Sequence, residues 1–240
     1  LVIAKAKFLH EDGSVSDDQL AVDNQAWTVI RKNRPANLLL VTPGCEAIRF
    51  ALTTEAARQL ANVTIESPEV LNKGDDYAQK AASGAYDLII YDRCRPREMP
   101  QANTFFVGAL PPVSFDLPPD REGGESKKVE LWRARPEVAG PRIIDVDAAH
   151  PLTGWLDLDD VLIAKARPLE VPAGGAVLID SHLGPLMAIA RRGGLEDLVL
   201  AFSFVEEETG DDGAVRRFAA TNWPIRTSFP VFMLNLLNYF

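Results

Sequence analysis

Cations are scarce in this chain: 25 Lys and Arg stand against 34 Asp and Glu, a formal net charge of −9. That deficit argues against a nucleic-acid partner, because polyphosphate binding needs a basic face to displace counterions. Long apolar runs are missing too. The longest, from Phe229 to Phe240, is interrupted by Asn235 and Asn238 and is too short to span a bilayer. Membrane attachment is therefore expected only through segments outside these residues. No Walker A, G-x-G-x-x-G, H-E-x-x-H, C-x-x-C or G-x-S-x-G motif occurs. Phosphate cradles, dinucleotide folds, zincin helices, dithiol centres and hydrolase elbows lose their sequence support with them. No cofactor is expected. The opening Leu1–Phe8 stretch alternates and does not form the apolar core of a signal peptide. Both ends read as cut, as in a fragment of a longer protein.

What is present is ordinary globular material, 47% hydrophobic and 25% charged, which excludes a disordered or fibrous chain. A length of 240 residues suits one main domain with an appendage. Residues 1–33 read as β structure. Val2, Ala4, Ala6 and Phe8 share one face, a polar turn follows at Glu11–Ser14, and Leu20 to Ile30 contain a returning strand. Arg34-Pro35 marks a boundary, and residues 34–240 form the α/β domain.

Leu38–Val41 is a short, wholly apolar run, as expected of a strand buried on both faces. Ile48, Leu52, Ala56 and Leu60 predict one helix from Cys45 to Leu60. Strands are predicted at Val63–Ile65, Asp87–Tyr91 and Thr104–Val107, with a short helix at Tyr77–Ala82 between the first two. This alternation predicts a mostly parallel, doubly wound sheet with helices on both faces. Residues 109–128, rich in Pro, Gly and charge, read as an exposed loop. Ile143–Val146 reads as a further strand. Val161–Ala166, Ala176–Asp180, Leu186–Ala190 and Leu198–Phe204 read as short antiparallel strands, and Glu206 to Gly213 as an exposed hairpin tip. A final helix is predicted from a Thr227 or Ser228 cap, with Phe229, Phe232, Met233, Leu236, Leu237 and Phe240 on one stripe.

Several phrases together resemble known proteins. Asn37 to Gly44 (NLLLVTPG) and Ala85 to Asp92 (AYDLIIYD) resemble the flavodoxin-like core of class I glutamine amidotransferase-like domains. Ala149 to Leu152 (AHPL), Gly184 to Leu186 (GPL) and Asn222 to Leu237 (NWPIRTSFPVFMLNLL) resemble the carboxyl half of bacterial BatA-like, von Willebrand A domain-containing membrane proteins. Asp17 to Trp27 (DDQLAVDNQAW) resembles the last strands of the β-sandwich that precedes the α/β domain in that family. The resemblance implies an envelope protein on the periplasmic face of a membrane-anchored parent. It also implies a protein partner of unknown identity.

An amidotransferase needs a Cys nucleophile at a G-x-C-x-G elbow and a His-x-Glu pair to activate it. Cys45 lies in Pro-Gly-Cys-Glu-Ala, Cys94 is flanked by arginines, and none of His10, His150 and His182 has Glu two positions later. The expectation is therefore a non-catalytic structural or interaction module. The rival is a Cys-dependent hydrolase with a remodelled site built from Cys45, Cys94, His150 and His182. Cys94 beside arginines and Cys45 at a helix start would both have lowered thiol pKa values, although the plain reading of each is packing. In a flavodoxin-like sheet both cysteines would follow neighbouring strands, so a Cys45–Cys94 disulfide is also expected to be within reach. Arg93, Arg95 and Arg97 form a candidate anion site where open α/β sheets bind ligands. Their plain reading is a solvated loop. Asp145 and Asp147, with His150, form a candidate metal group whose plain reading is likewise a solvated pair. Asp12 to Ser16 (DGSVS) matches the D-x-S-x-S string of von Willebrand A metal sites but lacks the buried strand that should precede it.

Overall fold

The computed structural model describes residues 2–6, 12, 14, 26–30, 34–73, 75–112, 114–117, 127–210 and 213–240. The chain divides into two compact units, Leu1–Arg34 and Pro35–Phe240. In the first, strands β1 (Val2–Ala6) and β2 (Ala26–Ile30) pair antiparallel, with Val2 opposite Ile30 and Ala6 opposite Ala26. The Ser14 backbone N–H and hydroxyl both donate to Asp12 Oδ1, at 2.9 and 2.6 Å. These bonds hold the Asp12 carboxyl below its usual range. The D-x-S-x-S string thus starts with an Asp turned onto its own Ser14; His10, Glu11 and Val15 lie outside the described residues.

The second unit alternates at first. Strand β3 (Ala36–Val41) leads to α1 (Glu46–Leu52) and α2 (Glu55–Leu60), then β4 (Ala61–Glu66), α3 (Val70–Lys73), α4 (Asp75–Ala82), β5 (Leu88–Asp92) and β6 (Asn103–Val107). The single helix predicted over Cys45–Leu60 is two. Thr53 closes the first, and Thr54 accepts a bond from the Ala57 N–H to open the second. The break rotates the apolar stripe, so Ala57 is buried and Ala56 is exposed.

Within the predicted 109–128 loop, β7 (Ser114–Leu117) pairs antiparallel with β8 (Lys127–Glu130). Short strands β9 (Arg133–Ala134) and β10 (Val138–Ala139) precede β11 (Ile143–Val146). The predicted Val161–Ala166 strand is reduced to β12 (Lys165–Ala166) and an isolated Ile163–Thr221 bridge. There follow β13 (Leu169–Glu170), β14 (Ala176–Ser181), β15 (Gly184–Arg192), β16 (Leu195–Leu200), the hairpin β17 (Val205–Thr209) and β18 (Val215–Ala219), a 3₁₀ turn at Trp223–Ile225, and α5 (Ser228–Tyr239).

Eight of these strands form one sheet in the order β11-β14-β15-β16-β6-β5-β3-β4. From β4 to β16 every pair is parallel, and from β16 to β11 every pair is antiparallel. The fold is mixed α/β with a large, mostly parallel sheet. One expectation is corrected: β16 is not simply part of an antiparallel set but pairs parallel with β6, Asp197 opposite Thr104 and Leu200 opposite Val107.

All of β5 and the last four residues of β3 are buried, which explains the apolar runs Leu88–Tyr91 and Leu38–Val41; Asp92, at the end of β5, is the buried exception. Successive residues of a strand face opposite sides. Phe105 meets Phe232 of α5 edge-on at 5.7 Å, whereas Tyr91, beside Phe106, reaches Tyr77 of α4. Phe105 and Phe106 point to opposite sides, so α5 and α4 cover different faces of the sheet. Phe229, Phe232, Met233, Leu236 and Leu237 of α5 are buried, each contributing roughly 1.5–3 kcal/mol of apolar transfer. Neither proposed cap acts as one: Thr227 makes no side-chain cap bond, and the Ser228 hydroxyl accepts from Trp223 Nε1 at 3.2 Å. Asn235, which breaks the apolar run, donates to the Leu152 and Gly154 carbonyls at 3.3 and 2.8 Å.

Candidate functional site

Parallel strands deliver their carboxyl ends to one side of a sheet, and α/β proteins place ligands there. Here β3 ends in Thr42-Pro43-Gly44-Cys45, β5 in Asp92-Arg93-Cys94, β6 in Gly108 and β16 in Ala201-Phe202-Ser203. Asp92 is 0% exposed. Its Oδ2 accepts from the Thr42 hydroxyl at 2.5 Å, and that hydroxyl accepts from the Gly44 N–H at 3.0 Å. Arg93 turns back on Asp92, Nε to Oδ1 at 3.3 Å and a terminal nitrogen to Oδ2 at 3.4 Å, and also donates to the Gly44 carbonyl. To do so its backbone adopts φ +53°, a left-handed conformation that costs a non-glycine residue about 1–2 kcal/mol. Such strain is expected only where surrounding contacts hold it.

The β17–β18 hairpin reaches this turn. Glu207 Oε1 accepts from Arg93 at 3.3 Å and from Arg217 Nε at 2.9 Å, and Arg217 also donates to the Pro43 carbonyl at 3.2 Å. At its base the Ser203 hydroxyl donates to Glu206 at 2.5 Å, and Lys165 bridges Glu206 and Glu137 at 3.4 and 3.5 Å. In the sequence alone, Glu206 to Glu208 belong to what reads as an exposed hairpin tip. Arg93 and Glu207 are 114 residues apart, and no local pattern announces their pairing.

Both cysteines follow neighbouring strands, as expected, but both are free. The anticipated lowering of their pKa values is overturned. Burial pushes the Cys94 thiol up to about 12, with Asp92 adding to burial and Arg93 opposing it. Burial likewise raises Cys45, against the pull of the Ile48 N–H at the start of α1, and Asp92 raises it further. Cys94 Sγ lies 3.5 Å from the Val41 carbonyl. Arg93 is engaged by Asp92, and Arg95 and Arg97 are exposed on the following loop, so the three arginines do not converge into an anion site.

The histidines lie elsewhere. β11 runs opposite to the parallel strands, so His150, just beyond it, sits at their amino ends. There its Nδ1 accepts from the Leu152 N–H at 3.2 Å and its ring packs on Tyr239. His182 occupies the β14–β15 turn, where Nδ1 accepts from the Arg142 N–H at 3.1 Å. β14 is four strands from β5, roughly 19 Å at a spacing of 4.7–4.9 Å. No hydrogen bond joins a thiol to an imidazole among the described residues. The metal group also fails to assemble: β11 ends at Val146, and Asp147 Oδ1 accepts from the Ala149 N–H at 3.1 Å in the following turn. Among the described residues no group of three or more His, Cys, Asp or Glu is placed to hold an ion.

No family model matches this chain, and no curated protein matches it. Solved structures do. The cytoplasmic protein STM1381 from Salmonella typhimurium LT2 is similar with a TM-score of 0.52 at 11% identity, covering 85% of this chain and 98% of that one. The cytoplasmic protein STM3548 from Salmonella typhimurium is similar with a TM-score of 0.53 at 8% identity and the same coverage. At such identity the likeness shows the fold alone. Among the described residues no helix is long and apolar enough to cross a membrane.

Proposed function

We propose that this chain is a non-catalytic structural and protein-interaction module, a relative of the class I glutamine amidotransferase-like, flavodoxin-like domains in BatA-like, von Willebrand A domain-containing envelope proteins. The order β4-β3-β5-β6-β16 of the parallel strands supports the flavodoxin-like reading, because numbered along the chain it is 2-1-3-4-5. The family and the envelope setting rest on the sequence resemblance. In this reading residues 1–33 are the tail of an upstream β-sandwich, and membrane attachment belongs to segments outside these residues.

One observation carries the non-catalytic part. The strained position at the end of β5, where an elbow would project a nucleophile, holds Arg93 paired with buried Asp92. A raised thiol pKa leaves little thiolate for attack near neutral pH. An interaction role is supported by a groove of about 500 Å³ lined by Leu162, Ile163, Phe204, Pro224 and Ile225 among others. Leu162 and Ile225 at its rim are 69% and 83% exposed, and exposed apolar clusters of this kind favour protein contacts.

The test is covalent labelling of the folded protein at pH 7.5 with a chloroketone analogue of glutamine, read by mass spectrometry. Both thiols are expected to react more slowly than free cysteine and to become reactive on unfolding. Adduct formation at Cys45 or Cys94 faster than free cysteine, with ammonia release from glutamine, would establish the rival Cys-dependent amidotransferase.

A further inference from the structure

We propose that the edge strand β4 is a self-association surface, on which a second copy of this chain pairs its own β4 antiparallel about a two-fold axis through Thr64. β4 closes one end of the eight-stranded sheet and, among the described residues, pairs only with β3. Asn62, Thr64, Ile65 and Glu66 are exposed, so no described element covers this edge.

The backbone of β4 fixes which groups a partner can meet. The Glu66 carbonyl accepts from the Thr42 N–H at 3.0 Å, which turns the backbone groups of Glu66, Thr64 and Asn62 toward β3. Those of Val63 and Ile65 alternate with them and point outward, where β3 cannot use them. Pairing about Thr64 sets Val63 opposite Ile65, so the outward groups meet in symmetry-related hydrogen-bonded pairs. Thr64 then faces its own copy, and Asn62 faces Glu66. An apolar β-branched pair, a hydroxyl pair and an amide–carboxylate pair are each favourable across strands. No charge opposes its like, because Glu66 is the one charged residue of the strand.

The two ends of the sheet differ in a way that favours a closed pair. Free edges are commonly blunted by lysine, proline or a bulge. β11, at the other end, has a register shift between Ile143 and Asp145, and such a bulge bends an edge out of line. β4 carries none of these devices. Its six residues keep an unbroken register with β3, from Ala36 opposite Ala61 to Val41 opposite Glu66. A symmetric contact uses β4 in both copies and leaves only the bulged ends free, which gives a dimer and not a fibre. None of the residues lining the apolar groove belongs to β4, so failure of this contact would leave the proposed function standing.

Sedimentation velocity over about a hundred-fold range of concentration tests the pairing. Wild type is expected to pass from monomer to dimer and no further. Thr64→Lys sets like charges face to face on the axis, and Ile65→Pro deletes an outward N–H that β3 does not use. Each is expected to weaken dimerisation at least about ten-fold, with a Tm in dilute solution close to that of wild type. Single cysteines test the register. In a non-hydrogen-bonded antiparallel pair the Cα atoms lie roughly 4.5 Å apart, a span that a disulfide bridges. In a glutathione redox buffer Thr64→Cys is expected to form an interchain disulfide, mapped by peptide mass spectrometry. Asn62→Cys, set opposite Glu66, is expected to form none. Should either of the first two variants melt too early, the cysteine pair decides alone. A wild type that stays monomeric, growth beyond the dimer, a dimer unaffected by Thr64→Lys or Ile65→Pro, or equal cross-linking at 62 and 64 would each overturn the proposal.

Discussion

The hydroxyls of Tyr77 and Tyr91 meet at 2.6 Å in the buried layer between α4 and β5. Tyr91 also stacks on Phe106 at 4.8 Å, so one contact ties a helix to two neighbouring strands. Tyr77→Phe leaves the Tyr91 hydroxyl buried without that partner and is expected to cost about 1–3 kcal/mol. The double Tyr77→Phe/Tyr91→Phe variant removes both polar groups and is expected to recover part of the loss. Urea unfolding of the four proteins checks this; a double variant less stable than either single one would refute it.

Alkaline stability follows from buried acids. The folded pKa of Cys94 is raised from an ordinary 9.0 to about 12. Folding thus favours the protonated thiol, so the associated stability is fully present below pH 9 and is lost as pH rises toward 12. Burial also raises Tyr91, adding a loss that starts above pH 10. Cys94→Ala is expected to flatten the decline in urea midpoint between pH 8.5 and 10. A decline of unchanged slope in that variant would rule the thiol out as its source.

Two residues share a strained backbone and should respond oppositely to glycine. Trp155 has φ +66° and is 96% exposed. Trp155→Gly is expected to stabilise by about 0.5–1 kcal/mol, the relieved left-handed strain outweighing the extra chain entropy. Arg93→Gly relieves similar strain but leaves Asp92 buried without its guanidinium, for an expected net loss of about 2–4 kcal/mol. Thermal melts moving in the same direction for both would show that strain is not the deciding difference.

A second buried carboxylate holds the entry to β6. Arg192 Nε lies 3.2 and 3.0 Å from the two oxygens of Asp197, its other nitrogens donate to the Pro100 and Ala102 carbonyls, and Thr104 donates to Asp197 at 2.7 Å. Arg192→Met is expected to cost about 3 kcal/mol, and Thr104→Val about 1 kcal/mol. Hydrogen exchange should rise at Gln101 and Asn103 in Arg192→Met, and protection left intact there would deny the clamp.

Strands β3 and β5 were legible because burial on both faces leaves no polar residue to interrupt Leu38–Val41 and Leu88–Ile90. The two-helix break was not, because Thr53 and Thr54 fit a helix surface until the Thr54 hydroxyl accepts from the Ala57 N–H. The parallel direction of β16 depends on its pairing with β6, with Thr104 and Asp197 93 residues apart. The site was legible in part. Its place after β3 and β5, with Arg93 in it, came from topology. The partners that neutralise Arg93 did not, because Asp92 stands just past the predicted Asp87–Tyr91 strand with no local sign of its partner, and Glu207 falls in what reads as an exposed hairpin tip. Arginines near Cys94 suggested a reactive thiol only while their own partners were unknown.

The switch from parallel to antiparallel pairing at β16 also separates the sheet by how far the chain must travel to build it. β14, β15 and β16 follow one another through short turns at residues 182–183 and 193–194, so their ladders close small loops. β6 must find β16 across the whole intervening segment. The meander is therefore expected to collapse early, with the β6–β16 seam joining the halves late. In pulse-labelled refolding, amides of residues 186–200 should gain protection before those of Thr104 to Val107; simultaneous protection would mean that the sheet assembles as one nucleus.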